Sequence, residues 1–129
     1  MIANLLSYEY EKDKLWILHY NWNEFKKYLD SLPVKDAAKL TKLIQKIEQY
    51  GLLIAERQKW TKKLDSNLYE IRSKLGANIQ RAIYFQKIGN QFVITQGFIK
   101  KDNKTPLTEI HEATKRRNMY FHKRRDDYE

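Results

Sequence analysis

Cysteine is absent from the 129 residues, which excludes disulfides and any thiolate chemistry and agrees with a reducing cytoplasm. Histidine occurs three times, at His19, His111 and His122, too scattered and too short of companion ligands to make a metal site. Long apolar runs are also missing. None approaches the length needed to span a bilayer, and the N-terminus has acidic and basic residues where a signal peptide needs an apolar core. A secreted or membrane fate therefore has no support, and a cytoplasmic location is expected. With only four glycines and two prolines the chain has no linker, low-complexity segment or internal repeat. One domain over 1–129 with one core is expected.

Positive charge is abundant. Twenty-five Lys and Arg face sixteen Asp and Glu, a formal net charge of +9. Residues 1–66 carry 12 basic and 9 acidic residues, or +3, and residues 67–129 carry 13 and 7, or +6. A basic face on a small domain suits a polyanion, because each neutralised phosphate releases counterions, and it also suits an acidic protein partner.

The stretch from Leu68 to Pro106 organises the chain. Leu68–Arg72, Ile79–Phe85 and Phe92–Ile99 each alternate in polarity and are rich in β-branched or aromatic residues. Gly76-Ala77-Asn78 and Gly89-Asn90 between them tolerate the positive φ of tight turns. A three-stranded antiparallel meander follows. Upstream, Leu5–Tyr10 and Leu15–Tyr20 read as a hairpin around a polar turn at 11–14, an extension of the domain over 1–20. Asn21 to Glu24 reads as a capping box that starts a helix with Trp22, Phe25, Leu29 and Leu32 on one face. A second helix, Val34 to Tyr50, carries Ala37, Leu40, Ile44 and Ile47 at three- and four-residue spacing, with Lys35, Lys39, Lys42 and Lys46 mostly off that stripe. Leu52 to Thr61 reads equally as a further helical turn or a connector. After the meander, Thr105 as N-cap and Pro106 at the first position open a last helix, on which Leu107, Ile110, Ala113 and Arg117 mark one face. The fold class is α+β: an antiparallel sheet with an N-terminal helical hairpin packed on one face and a C-terminal helix.

The order LYEIR (68–72), RAIYF (81–85), QGFIKK (96–101), KTP (104–106) and EIHEATKRR (109–117) resembles the RelE/HigB toxin superfamily, in particular its phage-derived HigB-like branch. The resemblance covers roughly residues 60–120 and lies in order and spacing. It implies a toxin of a type II toxin–antitoxin system that cuts mRNA on the ribosome without metal or cofactor. Implied partners are the ribosome, mRNA and a cognate helix-turn-helix antitoxin of HigA type, in a homodimer or heterotetramer. A ParE-like toxin that poisons DNA gyrase and cuts nothing is the alternative on the same fold. RelE proteins carry a tyrosine at the start of the last helix, where this chain has Ile110 and His111.

Metal-free RNA cleavage needs a base for the 2′-hydroxyl, cations for charge on the phosphorane and an acid for the 5′-oxygen. Arg fits the second task, and Lys the others once its pKa is lowered. The resemblance places Arg81 at the scissile phosphate, Arg72 on the preceding strand, and Lys101 and Lys104 in the loop before the last helix. These four are the candidate catalytic residues. Lys100, Lys115, Arg116 and Arg117 are the candidate RNA-binding residues. Arg81 is expected at the rim of the sheet, where truncation would leave the fold intact. Taken without the resemblance, Arg72 and Arg81 read equally as functional cations or as solvated surface charges, while Lys100 and Lys101 read as a solvated loop and Arg116 and Arg117 as a solvated helix end.

Overall fold

The computed structural model describes residues 14–101 and 104–128, with side chains described up to 123. Its elements run β1 (Trp16–His19), α1 (Trp22–Ser31), α2 (Val34–Tyr50), α3 (Leu52–Arg57), β2 (Thr61–Asp65), β3 (Leu68–Leu75), β4 (Asn78–Ile88), β5 (Gln91–Ile99) and α4 (Leu107–Tyr128). The five strands form one sheet in the order β1-β5-β4-β3-β2. The β2-β3, β3-β4 and β4-β5 pairs are antiparallel. β1 pairs with β5 in parallel, Trp16 opposite Gln91 and His19 opposite Ile94. The fold is therefore α+β as expected, but the sheet is mixed where an antiparallel one was expected. The run at 15–20 supplies β1 and lies beside β5, while the partner expected for it at 5–10 lies outside the described residues.

The meander follows the alternation. Its strands extend a few residues beyond the predicted runs, and Gly76 and Gly89 take φ of +60° and +54° at the two turns. Period 2 then sorts the side chains by face. Ile71, Ala82, Tyr84, Phe92 and Ile94 face α1 and α2, where they meet Phe25, Leu40, Ile44 and Ile47. Leu68, Ile83, Phe85, Val93 and Phe98 face α4 and close around Ala113, with Tyr120 and Phe121 at the edge. Leu107, placed by its spacing on the packed face of α4, is in fact exposed.

The helix starts are only partly as expected. Asn21 Oδ1 accepts from the Glu24 amide at 3.1 Å, but the Glu24 carboxylate does not return to Asn21 and instead pairs with Arg116. At α4 the helix begins at Leu107, and Pro106 acts as its cap through its carbonyl, which accepts from Ile110 N at 3.2 Å. The Thr105 hydroxyl is spent elsewhere, on Glu70.

Gly97 is the point of closest approach between the sheet and α1. A Cβ there would run into the Tyr28 ring and stand 3.0 Å from Phe25. The Phe25 ring is buried and the partly buried Tyr28 ring is held through its hydroxyl on Gln80 and the Phe98 carbonyl, so Gly97→Ala is expected to destabilise by about 1–3 kcal/mol. Urea denaturation would measure it, and an unchanged midpoint would show that α1 can lift off the sheet at no cost.

Candidate functional site

On the α4 side of the sheet, the apolar face ends in a cluster of charge. The β3-β4 register sets Arg72 directly opposite Arg81 and Glu70 opposite Ile83. Glu70 and Arg72, two residues apart, share that face. Two arginines facing across a strand pair repel, so the register needs a counter-charge. Glu70 supplies it. Its Oε1 lies 3.4 Å from Arg81 Nε, 3.8 Å from Arg72 Nε and 4.0 Å from Lys100 Nζ. Its Oε2 accepts a hydrogen bond from the Thr105 hydroxyl, which ties the start of α4 to the cluster.

The burial is steep. Glu70 is 1% exposed, Arg81 6% and Lys100 7%, whereas the Arg72 side chain is 36% exposed and reaches solvent. One carboxylate thus stands against three cations in a space with little water. The Arg81 Nη1 donates to the carbonyls of Ser73 (3.2 Å) and Gln80 (3.1 Å), which fixes the guanidinium. The Nε of Arg81 and the Nε of Arg72 are buried and make no hydrogen bond. Both Nε atoms face Glu70 Oε1, so the surplus positive charge, the fixed Arg81 guanidinium and the solvent-reaching end of Arg72 are what a phosphate group would complete.

Lys100 continues the ladder past β5, its amide donating to Ile79 O at 2.9 Å. Burial lowers its pKa from the ordinary lysine value; Glu70 opposes this, and Arg81, Arg72 and Lys62 reinforce it. Burial lowers the Arg81 pKa as well, but from so high a starting value that the charge stays. For Lys100 the consequence is measurable. Its folded pKa lies below 10.5, so between the two values the unfolded chain binds more protons, and stability rises with pH across that window. Wild type should gain stability relative to Lys100→Met between neutral pH and about 10.5. Urea titrations at several pH values read the difference; a gap that stays constant would mean that Lys100 titrates as free lysine.

Arg72, Arg81 and Lys100 come together, therefore, and two residues passed over in the sequence join them. Glu70 lies inside LYEIR, two residues before Arg72, so alternation alone put a carboxylate on the arginine face. Lys62 is opposite Glu70 on β2. Lys101 and Lys104 are exposed and form no hydrogen bond or ion pair with another described residue. Arg81, expected at the rim of the sheet, instead sits buried on the central strand β4.

The basic end of α4 divides. Lys115 is exposed. Arg116 forks onto the Glu24 carboxylate at 2.5 and 3.0 Å, donates to Glu112 at 3.0 Å and to the Thr95 carbonyl at 2.9 Å, and lies over the Tyr20 ring. The Glu24 hydrogen bond, more than the Glu112 one, raises its pKa. This side chain fastens α4 to α1 and the sheet and has little left for RNA. Arg117 donates to Ser66 O and, at 3.2 Å, to Asn118 Oδ1. Among the described residues no group of three His, Asp or Glu side chains could hold a metal ion, and no helix is long and apolar enough to cross a membrane.

A search of curated proteins finds no match. A family model, phage-derived protein Gp49-like (DUF891), matches residues 27–118, a span that runs from within α1 to within α4 and contains Glu70, Arg72, Arg81 and Lys100. With more than two thirds of its length inside that match, the chain belongs to the Gp49-like phage-derived family, which is of the RelE/HigB-like toxin type.

Proposed function

We propose that the protein is the toxin of a toxin–antitoxin pair and cuts mRNA on the ribosome as a metal-independent endoribonuclease. The observation that carries this reading is the buried cluster in which one carboxylate, Glu70, stands against Arg72, Arg81 and Lys100. In the reaction, the ribose 2′-oxygen attacks the adjacent phosphorus and the 5′-oxygen leaves, giving a 2′,3′-cyclic phosphate. Arg72, open to solvent, binds the phosphate and the growing charge of the phosphorane. Arg81, fixed from behind, holds the field in which that charge forms. Glu70 positions the cations. Lys100, with its lowered pKa, can accept the 2′-hydroxyl proton, and Lys104 or Lys101 in the exposed loop can protonate the 5′-oxygen. Lys115 adds to the docking surface.

The surplus charge also suits an acidic antitoxin segment laid over the cluster, of the helix-turn-helix HigA kind, in a heterotetramer formed in the cytoplasm. Complementary charge would make that association fast. The test is to incubate purified protein with programmed ribosomes and map mRNA 5′ ends. Discrete cuts are expected. Growth arrest without cuts would replace this reading with the gyrase-poisoning one.

A further inference from the structure

A second basic surface lies on the other side of Arg72. β2 stops pairing at Thr61 opposite Ile71, and the Trp60 carbonyl takes the Arg72 amide at 2.8 Å, so beyond Arg72 the end of β3 has β4 on one side and, among the described residues, no strand on the other. Along this bare edge, between β3 and α2, runs a groove of about 320 Å³ lined by Lys39, Lys42, Lys46, Lys74, Arg72 and Trp60. Among the described residues lining it there is no carboxylate. Lys46 and Trp60 also line an adjoining shallow hollow of about 380 Å³ with Tyr50 and Ile54. The Tyr50 and Trp60 rings stand 6.2 Å apart, and the Lys46 ammonium lies 5.7 Å from the Trp60 ring centre.

We infer that this groove holds the single-stranded RNA that leads into the Glu70 cluster, phosphates along the lysine row and bases against Tyr50 and Trp60. Three observations favour RNA. Lys39, Lys42 and Lys46, three and four residues apart, form a row along one side of α2, about 4.5 and 6 Å apart in rise. A cationic row beside an aromatic platform is the footprint of single-stranded nucleic acid, since every base has a face to stack. Arg72 lines the groove and belongs to the cluster, so one strand can pass from one to the other. An acidic peptide adding a strand to the β3 edge fits less well, because Lys39 Nζ already donates to the Lys74 carbonyl that such a strand would use.

The inference rests on the endoribonuclease reading for its direction but is tested apart from it. The probe is a fluorescein-labelled twelve-nucleotide RNA, fully 2′-O-methylated so that it cannot be cut, followed by anisotropy at several salt concentrations. Lys42→Gln/Lys46→Gln, which leaves Lys39 in place, is expected to weaken binding about tenfold and to reduce the salt slope by about 1.4, two phosphates' worth. Lys26→Gln/Lys27→Gln, on α1 and equal in charge, should change affinity less than about twofold. Equal effects of the two pairs, or none from the first, would overturn the groove. Poly-L-glutamate of matching charge should compete at least about tenfold less well than unlabelled RNA; equal competition would give the groove to an acidic protein segment instead. Groove-dependent binding by a protein that cuts nothing on ribosomes would support the groove and sink the endonuclease, and cleavage with groove-independent binding would do the reverse.

Discussion

Glu70→Ala is expected to cost about 3–5 kcal/mol of stability, because it leaves buried cations without their counter-charge. Lys100 can escape by losing its proton. Arg81 cannot, and at 6% exposure it cannot turn to water either. Glu70→Gln separates the causes: it keeps the shape and can still accept from Thr105, but not the charge, and should recover only a minor part of the loss. Added phosphate should restabilise the alanine variant more than wild type, since an anion that binds only the folded state adds its binding free energy to folding. Urea denaturation with and without phosphate reads all three. A loss below about 1 kcal/mol would show that the cations are solvated in solution and that the cluster is no phosphate site.

Arg72→Ala is expected to lower mRNA cleavage on ribosomes about a hundredfold or more, the usual effect of removing one aimed donor, roughly 3 kcal/mol in the barrier. Its stability should move by less than about 1 kcal/mol, because the side chain is more than a third exposed and its carboxylate partner keeps Arg81 and Lys100. Arg81→Ala should lose both activity and stability, since its guanidinium also serves two backbone carbonyls and is sealed into the sheet. The sequence alone suggests Arg81 as the cleaner probe, and the structure transfers that part to Arg72. Circular dichroism beside the cleavage assay distinguishes the cases. Full cleavage by a natively folded Arg72→Ala would remove the cluster from the chemistry.

Local signals were legible and long-range ones were not. The meander could be read because alternation and turn glycines are written within ten residues of each other. The second helix could be read because Leu40, Ile44 and Ile47 repeat at helical spacing. β2 was hidden: Thr61–Asp65 is an edge strand with exposed Lys62 and Lys63, and charge there discourages unwanted pairing while erasing the alternation. The parallel neighbour of β1 was hidden as well, since nothing in WILH names a partner so far along the chain. At the site, the arginines stood out by charge type. Glu70 did not, because a lone glutamate in a strand reads as solvent-facing until the register shows what it faces. Arg116 was hard to read for the opposite reason: a basic pair on a charged helix looks like a docking surface, and only the tertiary contact shows that this side chain is engaged with Glu24.

The parallel pairing of β1 sets a clock on the nascent chain. Trp16 must wait for Gln91, 75 residues later, before it has a neighbour, and at about 5–20 residues per second that interval is roughly 4–15 s. Such distant closure is also slow to nucleate, because the loop entropy is met before the contact forms. The charge cluster is ordered in time by the same topology. Glu70 is made well before Lys100 and Thr105, the groups that complete it. A half-made chain therefore has neither a closed sheet nor an assembled cluster, and the two are completed together once the segment from Gln91 to Thr105 has been made.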